Sequence, residues 1–439
     1  MMNAIFRTVL APVAGAFLFA VACLPAAAFQ IQEVTSPLGI KAWLVEDYTV
    51  PIVTVSAAFK GGSVQDPPGR EGLANLISTL FDEGAGDLDS KAFQARLEKL
   101  GTSLSYSDGR DRFTGTMRAL KEDSDEAFEL MRLSLTQLRF DENAIARMRQ
   151  GLKAQIAGDA NDAADKATRQ LRNSLFKGHP YARSSRGTVE SLDAITREEI
   201  VAHFGKLFAR DNLAVAVVGA MSAAETAQML DKVFGGLPPK AQLVEVGPAD
   251  VKFGEQIEME DSGSQTEISL ALPGVQRNSP KFFAAYLMNE ILGGGAFSSR
   301  LYDEVREKRG LAYSIGSSLS TFDNAAYLTI STATQAARAD ETLALIRSEM
   351  QRLASEGPTQ AELDAVKKYV IGSYAINNLD SSAKIAGVLI AMQTQGLGID
   401  YIEKREALIN AVTLDEVKAV AAELLGVEPT VVIVGPGRS

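Results

Sequence analysis

Two stretches, IVTVSAAFKGGS from Ile52 to Ser63 and TEISLALPGV from Thr266 to Val275, decide how this chain folds. Each alternates apolar with small or polar residues, which predicts a strand presenting one face to a core. Each also opens a run of landmarks that returns in the same order. After the first strand a helix runs into Glu-Lys-x-Gly, as EKLGTSLSYS from Glu98; after the second, as EKRGLAYSIG from Glu307. Later come a Thr-capped helix and an apolar strand, AITREEIVAHFGKLF then LAVAVVGA, and AVTLDEVKAVAAELL then TVVIVGP, which sets Gly219 against Gly435. The copies lie about 210 positions apart, so the chain reads as two versions of one supersecondary unit.

Between the copies, Gly235, Gly236, Pro238, Pro239, Gly247 and Pro248 break any periodic pattern, which predicts a linker. The expected organisation is an N-terminal domain over 29–235, a linker over 236–250 and a C-terminal domain over 251–439. Strands grouped apart from helices predict an α+β fold with a largely antiparallel sheet in each half.

A net charge of −11 opposes phosphate backbones, and no basic run follows the first residues, so nucleic acid is not an expected partner. No phosphate-cradling loop of the G-x-x-x-x-G-K-S/T kind is present either.

The N-terminal residues carry one positive charge at Arg7, an apolar run from Val9 to Leu24, and small residues at Ala26, Ala27 and Ala28. This is the order of a signal peptide over 1–28, with cleavage after Ala28 and export to the periplasm, so no stable membrane insertion is expected after cleavage. Lipoprotein anchoring at Cys23 is the alternative. Cys23 is the only cysteine, so a chain cut after Ala28 has no thiol for a disulfide, a nucleophile or a metal.

The segment LGGGAFSSRLYDEVREKRGLAYSIGSSLS, Leu292 to Ser320, resembles the second-domain motif of the pitrilysin/insulinase metallopeptidase family. GGSVQDPPGREGLANLISTLFDEGAG and FKGHPYARSSRGTVESLDAIT are similar to that family's early helix and later loop, so the resemblance spans the chain beyond the leader. It implies two related α+β domains facing each other as a clam around an extended peptide.

Active members carry H-x-x-E-H on the early helix and a carboxylate ligand about 80 residues later. Here the corresponding positions are Asn75, Ser78 and Thr79, with Ala154, Gln155 and Ile156 where the late glutamate belongs. Leu73, Leu76, Ile77, Leu80 and Phe81 form the core-facing stripe of that helix, which turns Asn75, Ser78, Thr79 and Asp82 to the other face. Amides and hydroxyls do not replace the imidazole and carboxylate donors zinc needs. Asp82 and Glu83 read as a solvated helix end. The two histidines, His179 in a turn and His203 inside a helix, have no metal spacing. No metal is therefore expected in this chain.

The second domain keeps what the first has lost. The resemblance assigns Arg306 and Tyr313 to gripping the peptide and donating hydrogen bonds to the carbonyl that becomes an oxyanion. It gives Gly293, Gly294 and Gly295 a place in a substrate-touching loop. Read from the residues alone, Arg306 is a helix-end cation, Tyr313 one aromatic of a strand, and the glycines a turn leading into a helix. The asymmetry implies a non-catalytic subunit of a heterodimeric zinc peptidase. Its expected partners are a homologous H-x-x-E-H subunit, which holds the zinc, and an extended peptide. Two alternatives stay open, a structural or scaffolding role and a zinc-independent peptide binder.

Overall fold

The computed structural model describes residues 30–295 and 298–436; the expected signal peptide, Cys23 included, lies outside them. Six strands build the first sheet: β1 (Gln32–Thr35), β2 (Lys41–Glu46), β3 (Ile52–Lys60), β4 (Ser103–Asp108), β5 (Arg112–Leu120) and β6 (Leu213–Gly219). Five build the second: β7 (Gln256–Glu260), β8 (Gln265–Pro273), β9 (Ala312–Phe322), β10 (Ala325–Gln335) and β11 (Thr430–Gly435). The spatial orders are β1-β2-β6-β3-β5-β4 and β7-β11-β8-β10-β9. Dropping β1, they are the same order, and each contains a single parallel pair, β2 with β6 and β7 with β11. The repeat in sequence is thus a repeat in topology, and the mixed α+β class holds.

The matched glycines sit where the sheets demand them. Gly219 has φ +131°, and a Cβ there would lie 2.0 Å from the Ile52 carbonyl; at Gly435 it would meet Thr266 Oγ1 at 2.3 Å. Both pack against the start of the central strand, so a side chain at either would push that strand out of register.

Of the α-helices among the described residues, those that bear on the site and the junction are α1 (Leu73–Ser78), α2 (Glu142–Asp159), α3 (Ala163–Leu175), α4 (Arg197–Leu207), α5 (Ser382–Thr394) and α6 (Leu414–Leu425). α4 and α6 begin with full capping boxes, Thr196 with Glu199 and Thr413 with Glu416, as the repeated Thr-x-x-Glu signals. Among the described residues, no helix is long and apolar enough to cross a membrane.

Each half lends a helix to the other. Ala167, Leu171 and Leu175 of α3 pack on Ala271, Val432 and Val434 of the second sheet. Conversely α5 lies on β3 and β6 of the first, with Ser382 Oγ 2.8 Å from Thr54 Oγ1 and Gln393 Nε2 donating to the Val215 carbonyl at 2.9 Å. This explains why β3 is buried on both faces although alternation predicts one. Beside the exchange, the fully buried Tyr181 donates to Asp111 Oδ1 at 2.6 Å and accepts from Asn324 N at 3.2 Å. From Ile31 onward the chain is one compact unit. Residues 241–255 form no helix or strand; Val244 N and O bond the Gln65 side chain and Gly247 O bonds His179 Nε2 in the first half, while Ala249 N donates to the Asn324 carbonyl of the second at 2.9 Å.

Candidate functional site

The leucine stripe does what its spacing predicts: Leu73, Leu76, Ile77, Leu80 and Phe81 are all within 2% of full burial. The helix itself is shorter, ending at Ser78. Ser78 and Thr79 hydroxyls donate back to the carbonyls of Asn75 and Leu76, both at 2.7 Å, which competes with a further turn. On the outward side Asn75 Nδ2 donates to Asp108 Oδ1 at 2.8 Å, and Ser78 Oγ lies 3.3 Å from the same oxygen. Burial raises the Asp108 carboxyl above its ordinary range, and the bond from Asn75 offsets part of that.

The helix start is held by Asp66, whose oxygens accept from Gly72 N and Ala74 N, both at 2.9 Å. Burial pushes Asp66 up to about 8. His203 of α4 is 3.8 Å away, likewise buried, and is pushed down to about 4 by desolvation. The pair carries a single proton near neutrality, so His203 stays uncharged and packs α4 against the loop entering α1.

These positions do not fit zinc. Ala154 and Gln155 of α2 are exposed carbon and amide groups, and Ile156 is half-buried. Asp82 accepts from Gln94 at 2.8 Å, and Glu83 is taken by Ser90 at 2.6 Å and by Arg147. Among the described residues, no three His, Cys, Asp or Glu side chains come together as a metal set. Asn75 Nδ2 and the Ser78 and Thr79 hydroxyls are spent on Asp108 and the backbone, and amides and hydroxyls are poor zinc donors.

The second half brings Arg306 and Tyr313 together. Residues Glu290–Gly294 and Tyr302–Glu307 are π-helical turns, closed by bonds such as Gly295 N to Glu290 O and Lys308 N to Asp303 O, both 2.9 Å. A π turn inserts one extra residue and re-aims the side chains beside it. The Arg306 guanidinium lies 4.8 Å from the Tyr302 ring and 5.0 Å from the Tyr313 ring. Tyr313 is 85% exposed, the most exposed large hydrophobic side chain among the described residues, so one ring face is covered by the cation and the rest is open.

Its exposure comes from a bulge. β9 pairs Ala312 with Thr334 but Ile315 with Thr332, so Tyr313 and Ser314 both point outward between two buried neighbours. Thr334 Oγ1 donates to the Leu311 carbonyl at 2.6 Å and Thr332 Oγ1 to the Ser314 carbonyl at 2.8 Å, satisfying the groups the bulge strands. Arg306 Nε lies 3.8 Å from Glu307 Oε1, while the nearby Glu304 is held down to about 2 by Lys308 and Arg309.

Gly293 and Gly295 are buried and Gly294 is exposed. A Cβ on Gly293 would stand 2.8 Å from Ser317 N of β9, so close packing against that strand requires the glycine. The glycines close a π turn rather than open a helix. Sequence reasoning missed Tyr302, the second face of the Arg306 sandwich, and the Asp108 and Asp66 carboxylates around α1. Tyr302 stands four residues before Arg306, the one signal available.

Two sequence models of one family match the chain, Insulinase (Peptidase family M16) over residues 41–189 and Peptidase M16 inactive domain over 194–370. The chain belongs to peptidase family M16. It is 28% identical over 346 residues to the non-peptidase homolog YmxG of Helicobacter pylori, covering 77% of this chain and 79% of that one. It is 26% identical to an uncharacterized zinc protease of Streptomyces coelicolor, covering 92% and 90%. Among solved structures, the peptidase M16 inactive domain from Pseudomonas fluorescens superposes with a TM-score of 0.88 at 28% identity, over 93% of this chain and 98% of that one. In this M16 chain α1 carries no imidazole, thiolate or carboxylate, while the later half presents an exposed cation–aromatic pair.

Proposed function

We propose that this chain is the substrate-binding, non-catalytic subunit of a two-chain zinc peptidase of the periplasm, working beside an M16 partner that carries H-x-x-E-H. The observation that carries the reading is the Arg306–Tyr313 pair, 5.0 Å from guanidinium to ring and open to solvent, in a chain whose own helix has no metal donors. Arginine offers a permanently charged fork and tyrosine a neutral hydroxyl donor, so the two can hold a peptide backbone and donate to a carbonyl oxygen as it gains charge. Such a donor is worth about 3 kcal/mol when it meets the developing charge. The matching names among relatives, one a non-peptidase homolog and one a zinc protease, support a division of labour within the family. The leader-like N-terminus supports export.

The test mixes the purified chain with the H-x-x-E-H relative from the same cell and follows cleavage of a quenched fluorescent peptide. This chain alone gives no cleavage, and the mixture cleaves. Arg306→Ala and Tyr313→Phe each lower kcat/KM in the mixture about 100-fold while leaving association intact. Unchanged cleavage by both variants would leave a scaffolding role instead.

A further inference from the structure

A cavity of about 140 Å³ lies where the end of α2, the middle of α3 and residues 184–187 meet. It has room for a small anion and a few waters, each water occupying about 30 Å³. Three guanidinium groups line it. Arg186 pairs with Asp159 at 2.5 Å and Arg169 with Asp165 at 3.3 Å. Arg172 has no carboxylate within ion-pair distance among the described residues; its Nε donates to the Ala182 carbonyl at 3.2 Å. Behind it Arg110 is in the same position, donating to the carbonyls of Tyr181 and Arg183 at 3.1 and 3.4 Å. The fold thus holds two part-buried, like-charged groups side by side. Burial and then the neighbouring Arg110 push Arg172 down to about 10, so it remains a cation under strain. Like charges in a poorly solvated place repel until an anion joins them.

We infer that this cavity binds the free α-carboxylate at the C-terminal end of a peptide. Three arginines against Asp159 and Asp165 leave one net positive charge, which suits a carboxylate and not a phosphate dianion, whose second charge would face the two aspartates. Arg172 offers the planar fork that matches a carboxylate, Ser184 and Ser185 offer hydroxyls, and Ile156 gives the last side chain an apolar wall. The cavity also borders α2, which packs on α1. The inference deepens the peptide-binding reading above and rests on it for the choice of a peptide.

The test is calorimetric titration of the full chain with acetyl-tetra-alanine as the free acid, the same peptide as its C-terminal amide, and inorganic phosphate. The free acid is expected to bind at least tenfold more tightly than the amide, and phosphate more weakly than the acid. Arg172→Gln removes the difference between acid and amide. If Arg172→Gln does not fold, judged by its melting curve, Ser184→Ala with Ser185→Ala takes its place and lowers acid binding several-fold. Equal binding of acid and amide, no binding of either at millimolar concentration, or phosphate binding tighter than the acid would overturn the inference. Acid–amide discrimination that survives alongside an inert Arg306 would reject only the subunit reading. A mixed assay sensitive to Arg306 without discrimination would reject only this one.

Discussion

Asn75 donates to Asp108 at 2.8 Å, a bond that ties the outward face of α1 to the end of β4. Zinc added to the purified chain should find no stoichiometric site by metal analysis after dialysis. Substituting Asn75→His, Ser78→Glu, Thr79→His and Gln155→Glu together should give about one zinc per chain, because three protein donors then converge. Leaving Gln155 in place should give far weaker retention. A wild-type chain that kept one zinc through dialysis would contradict the donor reading.

The bulge that exposes Tyr313 depends on Thr334. Thr334→Val keeps the shape but strands the Leu311 carbonyl, at a cost of about 1–3 kcal/mol in chemical denaturation. In the mixed peptidase assay the same variant should lower kcat more than it raises KM, since Tyr313 is displaced and not removed. Full activity at reduced stability would separate the bulge from function.

Asp66 and His203 make stability depend on pH in one direction only. Unfolded, they titrate near 3.8 and 6.5; folded, near 8 and 4. Between about pH 4 and 6.5 both states hold one proton and the pair contributes no slope. From about 6.5 to 8 the folded chain still holds its proton while the unfolded chain has none, so the pair's contribution falls as pH rises. Melting temperatures across this range should show that decline, and Asp66→Asn should flatten it. A decline of equal slope in the variant would assign the effect elsewhere.

Because each half rests on a helix of the other, the two sheets should unfold in one transition. Far-UV and near-UV signals in urea should coincide. Tyr181→Phe strands Asp111 and Asn324 N at the junction and should cost about 1–3 kcal/mol while keeping the transition single. Two separated transitions would mean that the exchange contributes little.

The repeat was legible because its signals are local: Thr196 and Thr413 announce capped helices, and Gly219 and Gly435 mark the same close approach. The residue types at Asn75, Ser78 and Thr79 were likewise plain from the sequence. The exchange of α3 and α5 was not, since an amphipathic stripe such as Ala167, Leu171 and Leu175 says that a face is buried and nothing about which sheet buries it. Nor was the exposure of Tyr313. Plain alternation running back from the buried Ile315 would turn Tyr313 inward, and only the pairing with Thr332 and Thr334 reveals the extra residue that turns both Tyr313 and Ser314 outward.

The reciprocal loan of helices also determines where movement can occur. Swinging one sheet away from the other would peel α3 and α5 off their beds and uncover apolar surface at about 25 cal/mol per Å², so this chain behaves as a single jaw without an internal hinge. In the two-chain peptidase proposed above, opening to admit a long substrate then falls to the seam between this chain and its partner.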